Sequence, residues 1–126
     1  MCKKILVVDD DQSVSNSLAL LLREERYLVD NTSDSGQGAF LIEKNVYDVC
    51  LFDYKMKGLT GIDLLKMAKN KNPRCVVFIV SGTLDIDALR ADESVVRLVA
   101  SIISKPFHIE ALLQKISNSD LLPSQD

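Results

Sequence analysis

The chain has 126 residues, of which 47 % are hydrophobic and 26 % are charged, as expected for one soluble domain with a single core. Its net charge of −3 argues against a nucleic-acid-binding module, which should be basic. The sequence has no apolar stretch long enough to span a membrane, no signal-peptide pattern, and three cysteines without the spacing of a metal site. We therefore expect a cytosolic protein whose cysteines are reduced and structural.

Short apolar runs alternate with amphipathic segments along the chain. Strands are predicted at residues 3–9, 27–31, 48–53, 74–80 and 100–104. Helices are predicted from residue 11 or 13 to about residue 25, and at 33–45, 60–69, 84–91 and 108–118. Five such alternations indicate a parallel sheet with helices on both faces.

Two segments fall outside this pattern. Residues 92–99 carry no clear helical or strand periodicity and are left unassigned. The polar residues 120–126 are expected to form a disordered tail or the start of a linker. The predicted domain is therefore residues 1–119.

Polar side chains stand at the ends of four predicted strands. Asp9 and Asp10 follow the first strand, Asp53 ends the third, Ser81 follows the fourth and Lys105 follows the fifth. Ligands of open parallel sheets bind beyond the carboxyl ends of the strands, so these groups are expected to converge there. Carboxylates brought together suit a hard cation such as Mg²⁺, with Asp10 and Asp53 as direct ligands and Asp9 acting through a water. The alternative is that these aspartates only cap helices, which we favour for Asp11.

The same groups fit phosphoryl transfer. With a metal neutralising the incoming phosphate, the Asp53 carboxylate could attack phosphorus and form an acyl phosphate. Lys105 would pair with phosphoryl oxygens, and Ser81 would donate a hydrogen bond. Taken singly, Lys105 also fits an ordinary surface lysine and Ser81 a turn serine.

In this order on five alternating strands, the motifs resemble the receiver domain of two-component response regulators. The matching residues are Asp9-Asp10, Asp53, Met56, Gly61, Ser81 and Lys105-Pro106-Phe107. The resemblance implies a flavodoxin-like (βα)5 fold, in which a doubly wound five-stranded parallel sheet carries helices on both faces. It also implies a signalling switch.

The resemblance assigns roles to individual residues. Asp53 would accept a phosphoryl group from a histidine kinase or a histidine phosphotransfer protein, and Ser81 and Lys105 would contact the phosphoryl oxygens. Asp9, Asp10, Asp53 and the backbone carbonyl of Lys55 would hold Mg²⁺. Apart from this self-phosphorylation and a slow autodephosphorylation, no enzymatic activity is implied.

The sequence departs from the family pattern mainly in its output features. Ile102 stands where members commonly carry an aromatic switch residue, and Lys57 stands where a proline usually follows the loop methionine. The family's partner or homodimer surface would combine the helix at 84–91, the strand at 100–104 and the helix at 108–118. If the chain is part of a longer regulator, an output domain would follow it.

Two further functions remain open at this stage. A docking module that acts without phosphorylation would suit the missing aromatic residue. A Mg²⁺-dependent phosphohydrolase with an aspartyl nucleophile is less well supported, because Lys55 stands two residues after Asp53, where a second aspartate would act as general acid. We also expect Lys55 and Thr83 to tune the lifetime of the acyl phosphate by blocking or orienting the attacking water.

Overall fold

The computed structural model describes residues 3–119. The strands are β1 (Lys4–Val8), β2 (Leu28–Thr32), β3 (Val49–Asp53), β4 (Val76–Ser81) and β5 (Ser101–Ser104). The helices are α1 (Gln12–Glu24), α2 (Ser35–Lys44), α3 (Gly61–Lys71), α4 (Thr83–Ala91), α5 (Glu93–Leu98) and α6 (Ile109–Ser119). The tail predicted at residues 120–126 lies outside the described residues.

The five strands form one parallel sheet in the order β2-β1-β3-β4-β5. This is the flavodoxin-like strand order, so the predicted doubly wound fold is confirmed. The chain order reverses between β1 and β3, where Ile5 pairs with Val49 and Val8 with Phe52. In such a sheet the ligand crevice lies beyond the carboxyl ends of these strands, where Asp9 and Asp53 are found.

Alternate residues of the central strands point to opposite faces of the sheet, and each face is covered by helices. On one face, Ile5 and Val7 belong to a core with the apolar residues of α1 and α6. On the other face, Leu6 and Val8 belong to a core with residues of α2, α3, α4 and α5. Central strands buried on both sides explain why β3 reads Val-Cys-Leu-Phe, an apolar run without alternation.

Helix caps explain several element boundaries. Asp11 accepts hydrogen bonds from the backbone amides of Ser13 and Val14 and is the N-cap of α1, as predicted from the sequence. Asp92 caps α5 in the same way, and the segment left unassigned from the sequence is this helix of six residues. A helix this short spans fewer than two turns, so it has too few residues to establish a periodic pattern.

None of the helices within residues 3–119 combines the length and apolar character needed to cross a bilayer. The longest of them, α1, has 13 residues, well short of the ~20 that a membrane span requires.

Candidate functional site

Backbone hydrogen bonds extend the sheet just beyond the strand ends and fix the polar residues there. The Asp9 amide donates to the Thr32 carbonyl at 3.2 Å, and the Lys105 amide donates to the Ser81 carbonyl at 2.8 Å. Asp53 is itself the last residue of β3 and pairs with Val80 of β4. The sequence therefore brings Asp9, Asp53 and Lys105 to one edge of the sheet, as predicted.

Lys105 connects the two buried carboxylates of this edge. Its Nζ lies 3.0 Å from Asp53 Oδ1 and 3.7 Å from Asp9 Oδ2. Asp9 is only 3 % exposed and Asp53 is 8 % exposed, whereas 35 % of the Lys105 side chain is exposed. The cation thus enters the pocket from solvent and neutralises carboxylates that the core has largely desolvated.

The pKa values in the pocket reflect this balance. Burial raises the pKa of Asp9, and the nearby charge of Asp53 raises it further, while a hydrogen bond from the Asp11 amide and the charge of Lys105 oppose the rise. Burial acts to lower the pKa of Lys105, but its hydrogen bond to Asp53 and the charges of Asp53 and Asp9 outweigh this and raise it. Removal of the ammonium would leave two buried carboxylates repelling each other.

Three other predicted site residues, Asp10, Ser81 and Thr83, also lie at or shortly after strand ends. Ser81 is buried at the end of β4, and its hydroxyl donates to the Gly82 carbonyl at 3.1 Å. Asp10 is exposed next to Asp9, and Thr83 is exposed in the first turn of α4. The structure thus contains a tight Asp9–Lys105–Asp53 cluster, with Asp10 next to Asp9 in the chain, Ser81 at the end of β4 and Thr83 at the start of α4.

Lys55, two residues after Asp53, pairs with a residue of α4. Its Nζ lies 3.4 Å from Asp85 Oδ1, and 75 % of the Lys55 side chain is exposed. This ion pair connects the loop after β3 with the helix after β4. Asp85 was not among the residues singled out from the sequence, because an aspartate in the first turn of a helix is ordinary.

Two small residues, Gly61 and Ser35, hold the loop between β3 and α3. A Cβ on Gly61 would lie 2.5 Å from the carbonyl oxygen of Asp53, the predicted phosphoacceptor. Only glycine therefore fits against this part of the backbone. Ser35, buried at the start of α2, donates to the Lys57 carbonyl at 2.7 Å and accepts from the Leu59 amide at 3.0 Å. Sequence reasoning marked Gly61 but missed Ser35, because its partners are 22 and 24 residues away along the chain.

Ile102 lies on β5 opposite Ile79 of β4 and is partly buried against the core of the α2–α5 face. The position predicted as a switch therefore carries an aliphatic side chain packed with other aliphatic side chains. An aliphatic side chain has no ring to swing between a buried and an exposed position, and no hydroxyl to bond.

The family model of the response regulator receiver domain matches residues 5–117. The chain belongs to this family. Receiver domains are the signalling domains of two-component systems, so the predicted role as a signalling switch is confirmed at the level of the family.

Individual relatives agree with this membership. A response regulator receiver domain protein from Clostridium thermocellum, known from a crystal structure, superposes with a TM-score of 0.83 at 28 % identity over 93 % of both chains. Regulatory protein VanRB of Enterococcus faecalis is 26 % identical over 116 residues, which are 92 % of this chain and 51 % of that protein. A cyclic di-GMP phosphodiesterase of Thermotoga maritima is 30 % identical over 115 residues, which are 91 % of this chain and 30 % of that protein. The chain thus spans about a third to a half of these curated relatives.

The donor set of this receiver domain suits Mg²⁺ only if the ion takes part of its shell from elsewhere. Within residues 3–119, no three His, Cys, Asp or Glu side chains lie close enough together to hold a metal unaided. Mg²⁺ usually binds through one or two carboxylates and keeps waters or phosphate oxygens as its remaining ligands. Two buried carboxylates, Asp9 and Asp53, meet that requirement.

Proposed function

We propose that Asp53 is the phosphoacceptor of this receiver domain and takes a phosphoryl group from a histidine kinase or a histidine phosphotransfer protein. The observation that supports this most strongly is the position of its carboxylate, at the end of central strand β3 and 3.0 Å from Lys105 Nζ. A carboxylate in that position has a cation ready to pair with phosphoryl oxygens. A second buried carboxylate, that of Asp9, lies 3.7 Å from the same cation.

In the proposed reaction, an Asp53 carboxylate oxygen attacks phosphorus while the bond from phosphorus to the donor nitrogen breaks and the donor keeps the electron pair. Lys105 then exchanges part of its pairing with Asp53 for the new phosphoryl oxygens. Ser81 turns its hydroxyl from the Gly82 carbonyl toward the same oxygens. Hydrolysis later returns the Asp53 carboxylate and releases inorganic phosphate.

Asp9, Asp10, Asp53 and the Lys55 backbone carbonyl are the ligands we propose for Mg²⁺. When bound, the ion supplies positive charge that neutralises the donor phosphoryl group and orients it for in-line attack. Because Mg²⁺ would bind the folded pocket and not the unfolded chain, it should raise the melting temperature in a concentration-dependent way. Asp10→Asn should weaken this effect, whereas Asp87→Asn on the outer part of α4 should not. An equal Mg²⁺ response in both variants would contradict the ligand assignment.

Lys55 and Thr83 are proposed to set the lifetime of the acyl phosphate. Lys55, two residues after Asp53, forms an ion pair with Asp85, and Thr83, two residues after Ser81, is exposed at the start of α4. Because they are exposed and close in sequence to Asp53 and Ser81, we expect them to obstruct or orient an approaching water. Lys55→Ala and Thr83→Ala should change the first-order rate of dephosphorylation, with Lys57→Ala as the matched control. Unchanged rates in both variants would contradict the proposal.

The surface formed by α4, β5 and α6 is the proposed contact for a second copy of the chain or for a partner. Leu84 supports this, because its side chain on α4 is 97 % exposed and offers apolar area to a partner. We further propose a domain of residues 1–119, a cytoplasmic location, and an output domain if the chain is part of a longer regulator. No activity beyond self-phosphorylation and slow autodephosphorylation is proposed.

The decisive test is the location of the added group after incubation with a small-molecule phosphodonor and Mg²⁺. Peptide mass mapping should find the phosphoryl group on Asp53. Asp53→Asn should remove it, and the control Asp87→Asn should retain it. A phosphoryl group on any other residue, or equal labelling of Asp53→Asn, would refute the assignment. Partner binding that is equal for wild type and Asp53→Asn would favour a docking module instead.

A further inference from the structure

Two thiols meet inside the core, at the end of the sheet opposite the carboxylate pocket. The Sγ atoms of Cys50 and Cys75 are 3.5 Å apart. Cys50 is the second residue of β3, and Cys75 immediately precedes β4. Both side chains belong to the core of the α2–α5 face, with exposures of 0 % and 2 %. A disulfide requires a sulfur–sulfur distance of about 2.05 Å, so the two sulfurs need to approach each other by roughly 1.5 Å.

The backbone at Cys75 can allow that approach. Its amide donates to the Asn72 carbonyl at 2.9 Å, and its carbonyl accepts from Lys69 Nζ at 2.8 Å. Neither of these bonds belongs to the ladder between β3 and β4, which begins with the amide of Val76 donating to the Asp48 carbonyl. A shift of Cys75 toward Cys50 therefore perturbs a turn and leaves the sheet intact.

The two thiols differ in their electrostatic surroundings. The hydrogen bond between the two thiols, with the nearby Lys69 ammonium, lowers the pKa of Cys75 against the effect of burial. Burial raises the pKa of Cys50. Cys75 is therefore the thiol that more readily provides the nucleophilic thiolate, and Cys50 is the neighbour that can resolve an oxidised Cys75.

An open groove at the surface borders Cys75. It has a volume of ≈ 430 Å³, and Cys75, Lys69, Arg97 and Leu98 contribute to its lining. Hydrogen peroxide is about as small as two water molecules and fits such a groove. Cys75 thus borders the groove, and its Sγ lies 3.5 Å from that of Cys50.

We propose that Cys50 and Cys75 form a redox-active dithiol, a modification site at which hydroperoxides generate an intramolecular disulfide. The Cys75 thiolate attacks one peroxide oxygen, the O–O bond breaks, and the products are a sulfenic acid and hydroxide. The Cys50 sulfur then attacks the Cys75 sulfur and its S–O bond breaks. With the thiol proton, the oxygen leaves as water. In total, two thiols and one peroxide give one disulfide and two waters.

The disulfide would covalently join β3 to the residue before β4 and link two positions that are 25 apart along the chain. β3 ends at Asp53 and β4 ends at Ser81, so the bond would connect the two strands that carry these residues. A bond that closes such a loop restricts the unfolded chain and should raise the melting temperature. Oxidation of these two thiols does not require that Asp53 be a phosphoacceptor.

The test uses the full chain carrying Cys2→Ser, so that only the two core thiols can react. The protein is treated with hydrogen peroxide, denatured, alkylated and analysed by intact mass and peptide mapping. The expected product is monomeric, is lighter than the reduced protein by two hydrogen atoms, takes up no alkylating reagent and contains a Cys50–Cys75 cross-linked peptide. Its melting temperature should rise, and a reducing agent should reverse both changes.

Cys50→Ala and Cys75→Ala, each in the Cys2→Ser background, serve as controls, and their circular dichroism spectra establish that they fold. Neither variant should form the lighter species. Three outcomes would each overturn the proposal. After peroxide treatment, both thiols could still be alkylated, Cys75 could be a sulfinic acid without a cross-link, or disulfides could be found only between separate chains. If the alanine variants do not fold, the cross-linked peptide in the Cys2→Ser parent decides the question alone.

Discussion

Replacing Lys105 by methionine tests the electrostatics of the pocket most sharply. Methionine retains most of the side-chain length but removes the ammonium that lies 3.0 Å from Asp53 and 3.7 Å from Asp9. Without metal, the two buried carboxylates then lose their only close cation among the described residues. We expect Lys105→Met to lower the free energy of unfolding at neutral pH.

The size of the effect follows from the distances and the exposure. At an effective dielectric constant of about 20, Coulomb's law gives ~5.5 kcal/mol for the shorter contact and ~4.5 kcal/mol for the longer one, and about a quarter of each in bulk water. Lys105 is one-third exposed, so solvent screening and the regained hydration of a free ammonium reduce these values. Exposed pairs contribute about 0–1 kcal/mol and broken buried pairs cost about 3–5 kcal/mol, so we expect a loss of about 1–3 kcal/mol.

The loss should depend on pH in a defined direction. The charge of Lys105 lowers the pKa of Asp9, so its removal leaves that pKa raised further by burial and by Asp53. A carboxyl group whose pKa is higher in the folded than in the unfolded state favours folding at low pH and opposes it as the pH rises through the folded pKa. The deficit of Lys105→Met should therefore be largest near neutral pH and shrink as acid protonates Asp9.

Urea unfolding in metal-free buffer, at neutral pH and at about pH 4.5 near the ordinary carboxyl range, measures both effects. Lys115→Met on the exposed side of α6 is the matched control and should have little effect at either pH. Equal stability of the two variants at neutral pH, or a Lys105→Met deficit that does not shrink in acid, would refute the electrostatic account.

Two further substitutions test how the loop after β3 is held. Gly61→Ala places a Cβ 2.5 Å from the Asp53 carbonyl oxygen and should lower the free energy of unfolding by about 1–3 kcal/mol, the usual cost of overpacking. Gly36→Ala, whose Cβ would be no closer than 3.6 Å to Asp34, should instead stabilise α2 by roughly 0.5–1 kcal/mol, and a loss in both variants would contradict the argument from close approach. Ser35→Ala removes the hydroxyl that bonds two backbone groups of the loop and should cost about 1–3 kcal/mol by urea unfolding, against little change for the exposed Ser17→Ala. Unchanged stability of Ser35→Ala would indicate that other contacts hold the loop.

The sequence was sufficient to predict the sheet and the residues at the centre of the site, because both depend on local patterns. Buried parallel strands appear as short apolar runs, and the polar residue that ends each run must lie at the same edge. Asp9, Asp53 and Lys105 were therefore predictable as neighbours. The detail that Lys105 contacts both carboxylates depends on side-chain conformation and emerged only from the structure.

Features that depend on distant parts of the chain were not predictable in the same way. Ser35 holds a loop more than 20 residues away, and Asp85 pairs with Lys55 across 30 residues. The close approach of the Cys50 and Cys75 thiols depends on the register between β3 and β4. Helix α5 was missed for another reason, since six residues are too few for a periodic signal even though Asp92 supplied an N-cap.

The central claim is that Asp53 accepts a phosphoryl group in a Mg²⁺-dependent reaction. Intact mass after incubation with a small-molecule phosphodonor tests it most directly, with Asp53→Asn and metal-free samples measured alongside. The account predicts one added phosphoryl group in the wild type with Mg²⁺ and none in either control. An added group that persists in Asp53→Asn, or no added group together with no binding of beryllofluoride, would contradict it.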